Sequence, residues 1–504
     1  MPLALGRCKM AREFDTDILI VGAGSAGLSM AIDLARRGVA FQIIDKVEDV
    51  FRGSRGKGIQ PRTLEIFEDL GVVDRIMAQG GEYPPQRDYD DDGSYTDSLV
   101  MDQREPTSSE PYPVTIMLPQ FMTEAVLRDR LAELGAAARF GTELTGFSAD
   151  DNGVTAQLST PDGEESLRVR YLVGADGGRS FVRQALGVEF PGKSLGARAV
   201  VADVTIDGLS RDFWHRWKSK APERMSIVHL RGTEMFQIQA AIPLEGDFDT
   251  SAEGLTAMLA ERTGRGDLRV ISVSWASTYN LSARLADKYR AGRIFMAGDS
   301  VHAHPPTGAQ GLNTSVQDAY NLSWKLALAV EQGVDLLDTY EDERRPIAAG
   351  MLGLSTGLLS DTQKGELRRG RDVQQLDLGY RESPLGFDQN PEGKGIRAGD
   401  RAADASCRTA GKRRSCLFSH FKGPHWTLLG YEPGANVTVA PRKGLHIHLI
   451  GPDKEIVDDQ NDIQTTYGLE RGDWLLVRPD GYVGARVGND DVEALKTYFR
   501  KIGL

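Results

Sequence analysis

Three glycine-rich segments of this chain contain residues suited to holding a phosphorylated cofactor. They are GAGSAG at 22–27, GADGG at 174–178 and GDSVHAHPPTGAQGLN at 298–313. Glycine lets the backbone approach an anion closely, and a helix that begins after such a turn offers free N–H groups and a positive dipole. The chemistry these segments could do together is the binding of a nucleotide or dinucleotide.

The first segment has the spacing of a dinucleotide-binding fingerprint. The segment DILIV at 17–21 predicts a buried strand, GAGSAG follows at once, and the next residues predict a helix that ends at Gly38. Residues 40–44 predict a second parallel strand, and Asp45 closes it at the distance needed to reach a ribose hydroxyl. Gly22 is assigned to the tight turn, Gly24 to the close approach of a pyrophosphate, and Gly27 to the close helix contact. The motif alone does not distinguish FAD from NAD.

The third segment predicts a strand end, an acidic turn and a helix start. The apolar run at 294–297 fits a short buried strand, and a glycine turn lets Asp299 emerge at its end. Prolines and glycines then exclude regular structure as far as Asn313 or Thr314, either of which could cap a helix predicted over 313–332. The N-terminus of that helix could hold an anion.

Two further turns could face the same cofactor. A glycine-rich basic loop at 54–60 leads into an amphipathic helix, and Arg55 could point to the cofactor from it. An equally weighted alternative gives this loop no function and predicts that Arg62 and Glu65 form a surface ion pair. The other turn contains Asp176, which follows a strand predicted at 166–173.

The predicted elements divide the chain into consecutive parts. We predict a nucleotide-binding domain that a polar excursion interrupts, a mixed and mostly antiparallel sheet that could roof a pocket, a return to the first domain with a helical segment, and a small α/β unit after a Gly/Pro-rich linker. The nucleotide-binding domain covers 15–195, with the excursion at about 80–115, and the mixed sheet covers 196–280. The return to the first domain covers 281–382, and the small α/β unit covers 399–504, after the linker at 383–399.

Composition excludes several classes of function. The 504-residue chain has a formal net charge of −12 at pH 7, which repels phosphate backbones and anionic lipid, so neither nucleic acid nor a membrane is expected as a partner. Its three cysteines, Cys8, Cys407 and Cys416, form no CxxC pair, which fits a reducing cytoplasm. The HxH pairs at 302–304 and 446–448 have no third ligand at a suitable spacing, so no metal site is predicted.

The three segments together, extended to GADGGRS at 174–180 and AGDSVHAHPPTGAQGLNTSVQDAYNLSWKLA at 297–327, resemble the FAD-dependent aromatic hydroxylases. These are the group A flavoprotein monooxygenases of the para-hydroxybenzoate hydroxylase fold, and the resemblance covers roughly residues 15–380. Residues 399–486 are similar to the thioredoxin-like appendage of phenol hydroxylase and polyketide hydroxylase relatives. The resemblance implies an α/β fold with a Rossmann-like FAD-binding domain, an inserted mixed β-sheet substrate domain and a C-terminal thioredoxin-like domain.

The family's activity is implied with its cofactors. NAD(P)H reduces FAD, O2 forms a flavin C4a-hydroperoxide, and the terminal oxygen attacks a phenolic or polycyclic aromatic substrate. The resemblance leaves the catalytic residues unassigned and is compatible with a homodimer. Alternatives on the same fold are an FAD-dependent reductase, a halogenase or a non-catalytic FAD-binding protein. The halogenase is disfavoured because residues 214–217, WHRW, do not begin the WxWxIP pattern of those enzymes.

Carried over position by position, the resemblance implies a set of FAD contacts. The pyrophosphate would meet Gly22, Gly24 and Gly27, and the adenosine ribose would meet Asp45. Further contacts to FAD would come from Arg55, Gln120 and Asp299. Asp176 and Gly177 match the motif that is tied to FAD and to NAD(P)H use. The isoalloxazine ring would lie beside Gly308, Gly311, Leu312 and Asn313. A helix start at that edge would stabilise the negative charge of reduced flavin.

The chain departs from the family pattern at two positions. Lys57 stands where many simple phenol hydroxylases have histidine, so the role of that histidine cannot be transferred. Ala309 stands where glycine is usual, which predicts a slightly stiffer loop.

Overall fold

The computed structural model describes residues 13–217, 224–364 and 370–504. The predicted arm at 1–9, with Cys8, lies outside these residues. In chain order the strands are β1 (Thr16–Val21), β2 (Phe41–Ile44), β3 (Gly58–Ile59), β4 (Gly81–Glu82), β5 (Gln86–Tyr89), β6 (Tyr95–Ser98), β7 (Ile116–Met117), β8 (Glu143–Ala149), β9 (Val154–Thr160), β10 (Gly163–Gly174), β11 (Gly192–Asp207), β12 (Trp214–Trp217), β13 (Met225–His229), β14 (Phe236–Ile242), β15 (Arg269–Leu285), β16 (Arg290–Ala291), β17 (Ile294–Met296), β18 (His302–Ala303), β19 (Phe387–Asp388), β20 (Ser406–Thr409), β21 (Arg414–Cys416), β22 (Trp426–Tyr431), β23 (Leu445–Ile450), β24 (Ile456–Val457), β25 (Asp473–Val477) and β26 (Val483–Val487).

The helices connect and cover these strands. In chain order they are α1 (Ser25–Arg37), α2 (Pro61–Leu70), α3 (Val73–Gln79), α4 (Gln120–Glu133), α5 (Phe181–Ala185), α6 (Ala252–Thr263), α7 (Gly311–Gln332), α8 (Thr339–Lys364), α9 (Phe418–Phe421), α10 (Asp462–Tyr467) and α11 (Val492–Ile502). Among the helices described here, none combines the length and apolarity that crossing a bilayer requires.

The first sheet, which we call the nucleotide sheet, has the order β16-β17-β10-β1-β2, and β8 and β9 extend from β10. β1 pairs in parallel with both β2 and β10, and β10 pairs in parallel with β17. Its central strands end in buried apolar runs, at 18–21 of β1 and 171–173 of β10, because helices cover this part of the sheet, and α1 and α7 pack against each other beside it. The carboxyl ends of β1, β2, β10 and β17 therefore lie along one edge.

The second sheet, which we call the roof sheet, has the order β18-β15-β11-β14-β13-β12-β5-β6. Most of its pairs are antiparallel, and the polar excursion supplies β5 and β6. Side chains alternate across β11: Val200, Ala202 and Val204 enter an apolar core that α6 covers, while Asp203 is buried on the opposite face. The roof sheet therefore turns a partly polar face toward the loop at 54–57.

The third sheet, which we call the C-terminal sheet, has the order β19-β26-β25-β22-β23-β24-β20-β21 and is mixed. The predicted linker at 383–399 is part of it, because β19 pairs in parallel with β26 and the Gly399 N–H donates to the Val483 carbonyl. The glycine and proline content that suggested a linker comes from the turns of this segment. We therefore correct the linker prediction: this stretch is packed chain.

Other boundaries agree with prediction or shift slightly. α1 and α7 end at left-handed Gly38 and Gly333, which confirms both predicted stops. α7 begins at Gly311 instead of 313, with Gln310 at its N-cap and no side-chain cap, so Asn313 and Thr314 were wrong as caps. Their side chains make other bonds, described below.

Candidate functional site

The predicted site residues meet at the carboxyl edge of the nucleotide sheet. GAGSAG follows β1, Asp45 follows β2, Asp176 follows β10, and Asp299 follows β17. Since these strands run in parallel, their ends share one edge, which is where open α/β sheets bind ligands. The three sequence motifs are thus brought together by strand order.

The glycines of the first segment differ in what surrounds them. A Cβ on Gly22, whose φ is +110°, would lie 2.3 Å from the Ala175 carbonyl oxygen, and one on Gly27 would lie 2.0 Å from the Gly22 oxygen. A Cβ on Gly24 would meet nothing nearer than Glu124 Oε1 at 3.7 Å. Gly22 and Gly27 are therefore required by the fold, whereas Gly24 lines open space into which a ligand's phosphate could come close to the backbone.

Two carboxylates hold the N–H groups at the start of α1. Asp45 Oδ2 accepts from the Ala23 N–H at 2.8 Å, and Glu124 Oε1 accepts from the Ser25 N–H at 3.2 Å and the Ser25 hydroxyl at 3.1 Å. Burial raises the pKa of Glu124. Sequence reasoning missed Glu124, which lies one turn after Gln120 on α4.

Gln120 and the loop at 54–60 are joined by paired bonds. The Gln120 N–H donates to the Gly56 carbonyl at 2.9 Å, and the Gly56 N–H donates to Gln120 Oε1 at 3.1 Å. Leu312 lies against Gly56, so this loop also touches the start of α7. Arg55 is exposed, and its guanidinium lies over the rings of Phe51 and Trp275 at 5.7 and 5.8 Å.

The loop before α7 is bent by left-handed residues. Gly308 has φ +78° and Ala309 has φ +54°. The effect of Ala309 is therefore larger than the predicted stiffening, because this left-handed conformation costs a residue with a Cβ about 1–2 kcal/mol relative to the right-handed region. Gly311, as the first residue of α7, places the helix N-terminus directly after this bend.

The acidic turns leave carboxylate oxygens available. Asp299 is exposed, and within the described residues its carboxylate accepts a hydrogen bond from the Ser315 hydroxyl at 3.4 Å. Asp176 Oδ2 accepts from the Val182 N–H at 3.1 Å, while its buried Oδ1 has no hydrogen-bond partner among the described residues. Gly177, with φ +79°, makes the turn after Asp176. An unpartnered buried oxygen here and the open space at Gly24 both fit a bound dinucleotide.

A buried polar cluster supports α7 from behind. His302 Nε2 lies 2.8 Å from Asp318 Oδ2, and Arg344 Nε donates to Asp318 Oδ1 at 2.8 Å, with all three side chains fully buried. Burial raises the pKa of Asp318, but Arg344 and His302 outweigh burial and the net shift is downward. His302 is therefore a buried histidine that is paired with a carboxylate.

The predicted surface pair Arg62–Glu65 is wrong in its location. Arg62 Nη1 donates to Glu65 Oε2 at 2.8 Å, but both side chains are buried, and Arg62 also donates to the Asp480 carbonyl. The pair is buried because the C-terminal sheet covers α2, and local sequence does not reveal that contact.

A polar network that sequence reasoning missed joins the 54–57 loop to the roof sheet. The Lys57 ammonium donates to Gln237 Oε1, and the Gln237 amide donates to the Ser54 carbonyl and hydroxyl and to Asp203. Lys57 is buried, and its Nζ lies 5.8 Å from the Trp214 ring centroid. Burial raises the pKa of Asp203. Lys57 is next to Gly58, which packs against Ala309 of the bent loop.

An apolar groove of about 560 Å³ lies between the roof sheet and α8. Its lining includes Leu195, Leu285 and Leu352. α8 also contacts the bent loop, because Leu358 lies against Gly308. The groove and the bent loop therefore share α8 as a neighbour.

Comparisons with known proteins agree with this geometry. The family model described as "FAD binding domain" matches residues 15–355, and the model described as "Phenol hydroxylase, C-terminal dimerisation domain" matches residues 433–504. A flavin-dependent monooxygenase of Mycobacteroides abscessus is 38% identical over 475 residues, covering 93% of this chain and 96% of that protein. A 6-methylpretetramide 4-monooxygenase of Streptomyces rimosus is 31% identical over 509 residues, covering 93% and 90%.

A solved structure extends the likeness to the whole chain. The crystal structure of a ternary complex of aklavinone-11 hydroxylase with FAD and aklavinone has a TM-score of 0.85 and 27% identity, and it covers 97% of this chain and 99% of that one. The two family models and the relatives agree with the expected fold and cofactor. The chain therefore belongs to the FAD-dependent aromatic hydroxylases of the phenol hydroxylase and polyketide hydroxylase type.

Proposed function

We propose that this monooxygenase hydroxylates a phenolic or polycyclic aromatic substrate, using NAD(P)H and O2. The observation that carries the proposal is the meeting of four strand ends, the bent loop before α7 and the Lys57 network under the roof sheet. FAD, when bound, supplies the redox chemistry and the activation of O2. The protein's task is to hold the cofactor, orient the aromatic ring and exclude water.

The parts of the chain divide this work. In our proposal, residues 15–195 and 281–382 hold FAD, residues 196–280 with the excursion at 80–115 cover the substrate, and residues 399–504 form the appended unit. Gly24 and the start of α1 would hold the pyrophosphate, Asp45 the ribose, and Asp176 and Asp299 the connecting region. The N–H groups at Gly311 to Asn313 would face the reduced ring and stabilise its negative charge.

Lys57 would bind the substrate's oxygen. Its ammonium reaches from the loop beside Ala309 to Gln237 of the roof sheet, so it lies between the cofactor loop and the roof. A cation there favours the ionised phenol, and an ionised oxygen enriches the ring in electrons. The apolar groove at Leu195, Leu285 and Leu352 supports a large, mostly apolar substrate.

The test is turnover of a phenol panel with NAD(P)H and labelled O2, followed by mass analysis. We expect one labelled oxygen atom in the product. Saturation of an alkene would favour the reductase, halide incorporation would favour the halogenase, and flavin binding without NAD(P)H oxidation would favour a non-catalytic protein. Lys57→Met should lower turnover with FAD occupancy unchanged, and Lys57→Arg should retain part of it. Equal turnover in the wild type and Lys57→Met would contradict the role of Lys57.

We also propose a homodimer and a cytoplasmic location. The match of residues 433–504 to a dimerisation domain supports a homodimer, which light scattering on the purified protein would test. The free Cys407 and Cys416 support a reducing compartment such as the cytoplasm. Burial raises the pKa of both thiols, to about 12 for Cys407 and about 11 for Cys416, so neither is a reactive thiolate at neutral pH.

A further inference from the structure

Four of the chain's eight histidines lie together in the C-terminal sheet, away from the edge that carries the glycine motifs. His446 and His448 are on β23, and the two-residue period of a strand puts them on one face. His420 is on α9, which packs against the neighbouring strand β22, and His425 directly precedes that strand. Parallel pairing of β22 with β23 brings the four rings together.

The four rings form two pairs of different character. His425 and His446 stack at 3.6 Å between centroids, with 20° between their planes. His420 and His448 meet edge to face at 4.7 Å and 71°. Stacking turns ring faces toward each other, whereas the edge-to-face pair directs a ring edge, where the nitrogens are, toward its neighbour.

The edge-to-face pair has unused nitrogen atoms. Nε2 of His420 and Nε2 of His448 are both buried, and neither finds a hydrogen-bond partner within the part of the chain that the structure describes. A buried polar atom without a partner costs about 1–3 kcal/mol, so two on neighbouring rings call for an explanation. Glu455, on the turn after β23, adds a carboxylate 3.0 Å from His448 Nδ1.

We propose that His420, His448 and Glu455 form a binding site for a divalent transition-metal ion, with zinc as the best match. Two imidazole nitrogens and a carboxylate are among the ligands that zinc prefers, and water can complete a tetrahedron. One ligand atom from each of the three residues lies within 4.8 Å of the others. Tetrahedral zinc needs about 3.3 Å between ligand atoms, given bonds of about 2.0–2.1 Å.

The remaining gap can close without moving the backbone of the sheet. Glu455 is exposed and belongs to a short turn, so its side chain can swing toward the histidines. His448 is on a strand, so its position is set by the ladder with β22. The ion would tie α9 to β23 and its turn, which is a structural role because none of these residues lies at the nucleotide sheet's carboxyl edge.

The sequence predicted no metal site, and the fold explains why the proposed site could not be found from the sequence. The HxH pair at 446–448 was set aside for lack of a third ligand at a suitable spacing. The partner histidine comes instead from α9, before the preceding strand, and only the pairing of β22 with β23 brings it near. Of the HxH pair, only His448 belongs to the proposed site.

The test uses the full-length, FAD-loaded protein after treatment with a chelator. Equilibrium dialysis against Zn²⁺ should give one bound ion per chain, and Co²⁺ in its place should give the visible absorption bands of a tetrahedral site. His420→Gln and His448→Gln should each weaken zinc binding by about tenfold or more, since loss of even a supporting partner costs about 10–100-fold. His446→Gln is the matched control on the same strand and should bind zinc like the wild type.

Zinc should also raise the melting temperature of the wild type but not of His448→Gln, because only a form that binds the ion is stabilised by it. Unchanged FAD occupancy in every variant would show that each is folded. The proposal is overturned if the wild type takes up no zinc, or if His420→Gln and His448→Gln bind it like the wild type. A loss in His446→Gln equal to that in His448→Gln would also overturn this ligand set.

Discussion

Asn313 joins the two loops that border the proposed flavin position, through Gln60. The Gln60 N–H donates to Asn313 Oδ1 at 2.8 Å, and the Asn313 amide donates to the Gly58 carbonyl at 2.9 Å and to the Ala309 carbonyl at 2.6 Å. Asn313 is fully buried. One side chain therefore fixes the distance between the basic loop at 54–60 and the first turn of α7.

Asn313→Ala should loosen both loops together. It leaves the Gln60 N–H and two carbonyls unpaired in a buried setting, and each such group costs about 1–3 kcal/mol. We expect a lower melting temperature and lower FAD retention. Asn313→Asp keeps the acceptor for Gln60 and should fall between wild type and alanine in thermal denaturation. FAD retention and melting temperature that match the wild type in Asn313→Ala would contradict the joining role.

A pair of alanine substitutions should separate cofactor binding from folding. In Gly27→Ala the new Cβ would lie 2.0 Å from the Gly22 oxygen, so the strand-to-helix turn cannot form and the protein should not fold. In Gly24→Ala the nearest atom is 3.7 Å away, so the chain should fold. FAD binding should nevertheless drop, because the methyl group enters the proposed phosphate space.

Circular dichroism and flavin content measure the two effects separately. The expected pattern is native secondary structure with reduced flavin in Gly24→Ala, and loss of soluble folded protein in Gly27→Ala. Full flavin content in Gly24→Ala would contradict the proposal that the FAD pyrophosphate lies at Gly24.

Asp299→Ala should lower FAD retention more than it lowers stability. The carboxylate is exposed and makes one long contact with Ser315, so the fold loses little when it is removed. The turn that presents it comes from Gly298, whose φ is +69°. Reconstitution with FAD, followed by dialysis, measures retention. Normal retention with a reduced melting temperature would reverse this assignment.

The sequence was sufficient where the determinants are local. The strand, glycine turn and helix at 16–38 were predicted closely, because apolar runs, turn residues and the stop at Gly38 act within a few positions. The same holds for the turn that presents Asp299. The order of the strands, which brings these turns together, was not predicted, because spacing along the chain does not determine it.

The sequence was insufficient where distant segments meet. Glu124 contacts Ser25, and Lys57 contacts Gln237, across separations that no periodicity spans. The burial of Arg62 likewise depends on the C-terminal sheet. Polar residues in predicted buried elements were the available signal for these sites, and the signal does not identify partners.

Acid should weaken the ion pairs that Asp33 makes with Arg36 and Arg37 at the end of α1. Burial raises the pKa of Asp33, but Arg37 and Arg36 outweigh burial and lower it to about 2. Because the folded pKa is below the unfolded value, this stabilisation is present above about pH 4 and is lost as the pH falls through about 2. It amounts to about 2 kcal/mol. Urea unfolding should give an advantage over Asp33→Asn at pH 5 that shrinks toward pH 2, and a constant difference would contradict the linkage.

Arg478 anchors the C-terminal sheet to α7 and α8, which lie behind the proposed flavin site. Its Nη1 donates to Glu343 Oε1 of α8 at 2.7 Å and its Nη2 donates to Asp480 Oδ2 at 2.6 Å. Asp480 Oδ2 also accepts from the Trp324 indole of α7 at 3.1 Å. Side chains of the ion-paired residues are at most 1% exposed. Burial raises the pKa of Glu343, but Arg478 and Lys325 outweigh burial, so the net shift is downward.

Arg478→Met should therefore destabilise the protein strongly. It leaves Glu343 and Asp480 charged and buried without their main cation, and breaking a buried ion pair from one side costs about 3–5 kcal/mol. The control is Arg381→Met, which removes a largely exposed arginine that pairs with Asp400 at 2.6 Å and should cost less than about 1 kcal/mol. Thermal denaturation of the two variants compares these costs at equal loss of charge. Similar melting temperatures would mean that water reaches the Arg478 network, and that the C-terminal sheet is held to α7 and α8 by its apolar contacts alone.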